Sequence, residues 1–191
     1  HRQMHAFQVP GLPQWRFGNY LETLEQDVRW IALFLPEREA VVRGVWERLR
    51  RCAPRVDDDT TAFCHGDFVP SQALDDGGRW SITDFDMARQ GGAVLETATL
   101  LACLKYHVPL VQGAFESASP AGDALAAAAE EAYLRGYETE QGGPVDRERL
   151  LWFRLCAEIQ YLALSLKKDT YVPATFDRVM ALVERLAARF R

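Results

Sequence analysis

The chain has 191 residues, 48% hydrophobic and 26% charged, a balance that excludes disorder and collagen-like structure and leaves room for one domain or one lobe of a larger enzyme. Lys and Arg number 22 against 27 Asp and Glu, a net charge of -5 that argues against nonspecific nucleic-acid binding and mildly favours a cationic partner. No apolar run approaches the roughly 20 residues that span a bilayer, so no membrane association is expected. Residues 1–13 lack the apolar core of a signal peptide, and an opening His1 in place of Met reads as a trimmed chain or a fragment. Four widely spaced cysteines, Cys52, Cys64, Cys103 and Cys156, form no C-x-x-C pair and read as buried or indifferent thiols of a cytoplasmic protein.

Over residues 19–34 the apolar Leu21, Leu24, Val28 and Ile31, continuing to Leu35, recur at steps of three and four, which predicts a helix. Pro36 interrupts it and can begin a second, which Val41, Val42, Val45, Trp46 and Leu49 carry to residue 51. Pro54 and Asp57-Asp58-Asp59 predict a loop; three consecutive carboxylates do not face one point, so the run reads as solvated. Residues 60–64 then predict a short strand, and 72–74 and 80–83 two more. Asp75-Asp76-Gly77-Gly78 between the last two supplies the residues that positive-φ turns require, so 72–83 predicts a hairpin. Gly91-Gly92 closes this central section.

The rest reads as helix. Residues 95–105 are apolar nearly all round, which predicts a buried helix. Residues 123–139 predict another, with Asp123 as its cap. A long helix over 145–167 presents Leu151, Leu155, Ile159, Leu162 and Leu166, and a last amphipathic helix runs over 174–190. Breakers at 141–144 and 171–173 separate them, and 116–122 reads as a mobile loop. The fold class is α+β, mostly α-helical, with a small central β-hairpin.

Polar residues concentrate in that β element. His65-Gly66-Asp67 follows the first strand, Gln72 stands at the mouth of the hairpin, and Asp84-Phe85-Asp86 follows the returning strand, with Asp84 17 residues after Asp67. A hairpin folds its ends together, so Asp67, Gln72 and Asp84 can converge. Two carboxylates and an amide oxygen are hard oxygen donors suited to Mg²⁺ and to orienting a hydroxyl, which is what phosphoryl transfer needs. His65 reads as structural, its ring bonding local backbone. His5 and His107 stand beside no acid motif and read as ordinary packing or surface residues. The five Trp residues read as core and interface groups.

The segment resembles the catalytic and metal-binding loops of the aminoglycoside phosphotransferase and choline kinase family of small-molecule kinases. The pattern is H-G-D-x-x-x-x-N, a hairpin, then I-D-[FW]-[DEG], met here by His65, Gly66, Asp67, Gln72, Ile82, Asp84, Phe85 and Asp86. The opening His1 to Gly11 resembles the L-H-x-x-x-x-P segment that begins the family's C-terminal lobe. The resemblance implies a protein-kinase-like C-terminal lobe over residues 1–191, without the N-terminal nucleotide-binding lobe and its phosphate-pairing Lys; Lys105, Lys167 and Lys168 lie elsewhere. It implies transfer of a phosphoryl group from ATP or GTP, with Mg²⁺, to a hydroxyl of an aminoglycoside-, choline- or sugar-like molecule. Asp67 would orient and deprotonate that hydroxyl. Asp84 and Gln72 would hold the metal and nucleotide, and His65 and Asp86 would support them. Glu130, Glu131, Glu158 and Asp169 would line a site for a cationic acceptor.

Two positions depart from the pattern. Gln72 replaces Asn, and Glu96 replaces the Asp that starts the following helix, which is expected to weaken a structural contact. An isolated lobe would lack turnover, and its uncovered, partly apolar face would allow self-association. Two other readings stand beside this one. One is a non-catalytic kinase-like binding module. The other is a metal-dependent hydrolase using His65, Asp67, Asp84 and Asp86, which would place a metal on His65 Nε2.

Overall fold

Helical periodicity in this chain becomes helix nearly where it occurs, and the short extended pieces become strands of three residues each. The structure, a computed structural model, describes residues 1–53, 62–111, 120–141, 145–168 and 170–190. The chain divides into two compact units, one of His1–Trp15 with Asp59–Leu150, the other of Arg16–Asp58 with Leu151–Arg191. No helix among the described residues is long and apolar enough to cross a membrane.

The second unit is helical. Helix α2 (Phe17–Phe34) buries Tyr20, Leu24, Asp27, Val28, Ile31 and Ala32. A 3-10 turn at Pro36–Arg38, opened by proline's fixed φ, leads into α3 (Glu39–Arg51), which buries Val42, Val45, Trp46 and Leu49. Helix α2 packs on α3, and α3 on the last helix, which buries Phe176, Val179, Met180 and Val183 and spans Pro173–Ala187. The preceding long helix spans Arg147–Lys167, and its residues from Leu151 onward belong to this unit. There Trp152 and Phe153 meet edge-on, with ring centroids 5.1 Å apart, and the Trp152 indole donates to the Leu49 carbonyl at 2.8 Å. Full burial of side chains such as Leu24, Ile31 and Phe176 contributes about 1.5–3 kcal/mol each.

The first unit holds the β structure. A short helix α1 (Arg2–His5) is followed by strand β1 (Ala62–Cys64). Strands β2 (Ala73–Asp75) and β3 (Trp80–Ile82) form the hairpin, in the register Ala73 to Ile82 and Asp75 to Trp80. Its turn is closed by Asp76 N–H donating to the Arg79 carbonyl at 3.0 Å, with Gly77 and Gly78 at φ +64° and +107°. The Gly91-Gly92 pair does more than close this section. Strand β4 (Arg89–Gly91) pairs antiparallel with β1, and Gln90 also exchanges backbone bonds with Pro13 and Trp15 at 2.9 and 2.8 Å. Helix α4 (Ala93–Val111) then packs against β1 and against α5 (Pro120–Gln141), while α1 packs on β1 and α5.

Several boundaries differ from the sequence expectation. Helix α5 begins at Pro120, so Asp123 lies in its first turn and is not its cap, and residues 120–122 are helical where a loop was expected. The remainder of that loop, 116–119, lies outside the described residues, as do Asp57, Asp58, Asp59 and 142–144. The long helix α6 (Arg147–Lys167) starts two residues late because Asp146 caps it, its carboxylate accepting from the Glu148 and Arg149 N–H groups at 3.1 and 3.0 Å. The last helix, α7 (Pro173–Ala187), ends before Phe190. Cys64, Cys103 and Cys156 are buried and Cys52 is partly so, and none of the four is in a disulfide.

One buried charge in the helical unit is testable. Asp27 on α2 receives Lys167 Nζ at 2.6 Å, and burial pushes its carboxyl above the usual value while the Lys167 contact opposes the shift. A carboxyl whose folded pKa is raised binds its proton more readily in the folded chain. Its contribution to stability is therefore greatest below the unfolded value of 3.8 and falls as pH rises through the folded one. Asp27→Asn removes that dependence. The unfolding free energy of Asp27→Asn minus that of wild type is thus expected to rise between about pH 3 and pH 7 in urea titrations. A flat or falling difference would show that Asp27 carries no net burial penalty.

Candidate active site

The site is built where β1 ends. After Cys64 the chain passes through fully buried His65 to Gly66, whose φ is +100°. Both polar groups of Gly66 are fixed: its N–H donates to Glu96 Oε1 at 2.8 Å, and its carbonyl accepts from Arg89 Nη2 at 3.2 Å. A Cβ here would sit 2.0 Å from the Met87 carbonyl oxygen, so only glycine fits. Asp67 is delivered next, with half of its side chain (52%) open to solvent.

His65 connects the two acids. Its Nε2 donates to the Thr83 carbonyl at 2.8 Å, and its Nδ1 lies 3.1 Å from Asp67 Oδ1. Because a carbonyl only accepts, Nε2 must carry a proton, and Nδ1 donates to Asp67 only when the ring carries both. Thr83 precedes Asp84, so one imidazole ties the Asp67 turn to the Asp84 turn. The ring lies between Phe68 and Phe85, at centroid distances of 5.4 and 4.7 Å.

Asp84 is exposed and has φ +69°, in the left-handed region that Asp enters more readily than most residues. It opens a 3-10 turn, Phe85–Met87, in which Asp86 is also exposed. Gln72 joins the pair from the other side. Its amide oxygen accepts from the Val69 N–H at 2.8 Å, and its Nε2 donates to Asp84 Oδ2 at 3.2 Å. The backbone donor fixes which end of the amide is oxygen. In this arrangement Gln72 therefore presents its NH₂ to Asp84 and spends its oxygen on the Pro70–Gln72 turn. Asp67, Asp84 and Asp86 are each exposed carboxylates, hard oxygen donors of the kind a divalent cation takes, but among the described residues they do not form a cluster with three donor atoms within 4.8 Å of one another. Gln72 as it stands holds Asp84 and does not share a cation with it. A metal on His65 Nε2 finds that nitrogen already donating to Thr83.

Behind the loop lies a group of contacts that sequence reading missed. Glu96, in the first turn of α4, is buried. Its Oε2 accepts from His1 Nε2 and His5 Nε2, both at 2.8 Å. His1 Nδ1 accepts from the Tyr133 hydroxyl, and His5 Nδ1 from the Tyr137 hydroxyl, the latter at 2.9 Å. Burial pushes the Tyr133 phenol well above its ordinary value, so it stays a donor. Two expectations are corrected here. Glu96, expected to weaken a structural contact, keeps an oxygen on the Gly66 N–H at 2.8 Å. His5 is no ordinary packing residue; its acid partner stands 91 residues away and is invisible to local motif reading.

Of the acids expected to face an acceptor, Glu130 and Glu131 belong to the first unit. Glu131 is exposed and pairs with Arg135 at 2.6 Å along α5, and Glu130 is half-buried on the same helix. Glu158 belongs to the other unit, is buried, and lies 4.0 Å from Arg154 Nε. Asp169 lies outside the described residues, and of the His107 side chain nothing is described.

Residues 1–145 match the model of APH, the phosphotransferase enzyme family. A search of curated proteins gave no significant match. The family match spans well over half of the chain, and the chain belongs to the phosphotransferase enzyme family. Membership implies phosphotransferase activity on small molecules.

The Gly66 turn carries a prediction. Gly66→Ala adds a left-handed non-glycine residue, which costs about 1–3 kcal/mol, and a clash with the Met87 carbonyl on top. The unfolding free energy is expected to fall by at least that amount in denaturant titration. A change near zero would mean that the turn is not held as described.

Proposed function

We propose that this member of the phosphotransferase enzyme family transfers the terminal phosphoryl group of ATP or GTP to a hydroxyl of an aminoglycoside-, choline- or sugar-like small molecule, with residues 1–191 as the catalytic lobe and Asp67 as the base. The observation that carries the reading is the Asp67 carboxylate on a turn fixed at both polar groups of Gly66, half open to solvent and tied through His65 to the Asp84 turn.

Little covalent work is asked of the protein in such a transfer; positioning and charge neutralisation supply most of the rate. Asp67 accepts a hydrogen bond from the acceptor hydroxyl and takes its proton as the new O–P bond forms and the nucleoside diphosphate leaves. His65 Nδ1 stands 3.1 Å from Oδ1, so the buried ring bounds one side of the carboxylate. Asp84 is the residue that would hold Mg²⁺, and Gln72 Nε2 keeps that carboxylate in place. When bound, the cation neutralises the charge of the phosphates. Asp86, exposed on the same turn, is a supporting acid. The Gln72 amide is also the observation that favours a non-catalytic binding module: its oxygen is committed to the Val69 N–H.

Two measurements on the complete protein decide between them. Asp67→Asn keeps the shape of the side chain and removes the base, so turnover is expected to fall by about 10²- to 10⁴-fold with the fold unchanged. Near-normal phosphoryl transfer by a folded Asp67→Asn would end the catalytic assignment. Asp84→Ala is expected to weaken Mg²⁺-dependent nucleotide binding more than acceptor binding, since the lost carboxylate faces the cation. Titration of both ligands reads the difference, and equal losses would remove Asp84 from the metal site.

A further inference from the structure

We propose that His1, His5 and Glu96 form a binding site for a divalent transition-metal ion of the zinc class, separate from the carboxylates of phosphoryl transfer and independent of that reading. His1 caps α1 and His5 ends it, so the two rings stand one helical turn apart on one face, the spacing at which two helix histidines share an ion. Both Nε2 atoms point at the same oxygen of Glu96, at 2.8 Å each, and the three donor atoms all lie within 4.8 Å of one another. The side chains are 6%, 2% and 6% exposed for His1, His5 and Glu96.

The chemistry of the donor set selects the ion. Two imidazole nitrogens and one carboxylate oxygen suit zinc and its neighbours, whereas Mg²⁺ demands oxygen donors in octahedral array. Bonds of about 2.0–2.1 Å in tetrahedral array separate donor atoms by roughly 3.3 Å. The two nitrogen–oxygen separations have only to open by about half an ångström to admit the ion, and the two nitrogens already lie within 4.8 Å of each other. Three protein donors leave a fourth position for water.

The surroundings match as well. A histidine on a metal keeps its ring fixed by donating its other N–H to a polar partner. Here each Nδ1 already meets a tyrosine oxygen, His1 with Tyr133 and His5 with Tyr137, two residues one helical turn apart on α5. On metal binding each neutral ring keeps its single proton and moves it from Nε2 to Nδ1, where the phenol oxygen accepts it. Glu96 Oε1 stays on the Gly66 N–H, so the ion would stand one carboxylate away from the turn that carries Asp67.

Cobalt titration of the chelator-treated complete chain tests the proposal. The chain carries no histidine tag, and its amino terminus is blocked so that a free amine beside His1 cannot chelate. The expected result is one equivalent of Co²⁺ bound with the intense visible absorption of a low-coordinate site, displaced by Zn²⁺ and untouched by excess Mg²⁺. The band should survive Asp84→Ala. It should vanish in His1→Gln, with helix content by circular dichroism unchanged, and Tyr137→Phe should weaken cobalt affinity by about 10- to 100-fold. Absence of saturable cobalt binding in the folded wild type overturns the site, as does a band that persists in His1→Gln or disappears in Asp84→Ala. Should His1→Gln fail to fold, Tyr137→Phe decides: unchanged affinity leaves the cluster a hydrogen-bond network only.

Discussion

Burying the Glu96 carboxylate is costly unless its lone pairs are met, and meeting them ties four parts of the chain together. An uncompensated buried charge costs several kcal/mol. Hydrogen bonds to a charged group return about 1.5–3 kcal/mol each, and Glu96 accepts three, from Gly66, His1 and His5. Three such bonds are together of the size needed to offset that cost. The start of α4, the Gly66–Asp67 turn and α1 are therefore held as one arrangement. The histidines extend it to α5 through Tyr133 and Tyr137.

Strain in the loop depends on that frame. Gly66 and Asp84 both adopt positive φ, and Asp84 does so without glycine's freedom, at a cost on the order of 1–3 kcal/mol. The conformation persists because its neighbours are over-determined. Thr83 N–H donates to the Gln72 carbonyl at 3.1 Å, Gln72 Nε2 reaches the Asp84 carboxylate, and the Thr83 carbonyl is held by His65. Each bond closes across the hairpin mouth, so Asp84 cannot relax without breaking a contact made by Gln72 or His65.

The legible parts were those whose signals are local. Asp75-Asp76-Gly77-Gly78 announced the hairpin because a positive-φ turn needs such residues, and the register follows from the turn. The apolar periodicity of Leu24, Val28 and Ile31 announced α2. The His65-Gly66-Asp67 spacing pointed to the family that the match over residues 1–145 shows. What stayed hidden is non-local. Arg89–Gly91 carries no β-branched or alternating pattern; it is a strand because β1 and the Pro13–Trp15 backbone offer it partners. Residues 2–5 are too few to show helical periodicity. Glu96 meets His1 and His5 across 95 and 91 residues, so no motif window contains them together.

The two departures from the family pattern are the same chemical change with opposite results. Gln72 and Glu96 each stand where a side chain one methylene shorter is usual. At Glu96 one carboxylate serves two directions, Oε1 toward the Gly66 turn and Oε2 toward the histidines. The frame gains contacts and the turn keeps its acceptor. At Gln72 the added length lets the amide fold back on its own turn, where the Val69 N–H takes the oxygen and leaves the NH₂ to face Asp84. A donor facing a carboxylate fixes that carboxylate, but it cannot stand beside it as a cation ligand without rotating. Freeing the oxygen would forfeit a backbone bond of about 0.5–1.5 kcal/mol, so the amide as it stands serves the loop: its oxygen holds the Pro70–Gln72 turn and its NH₂ holds Asp84.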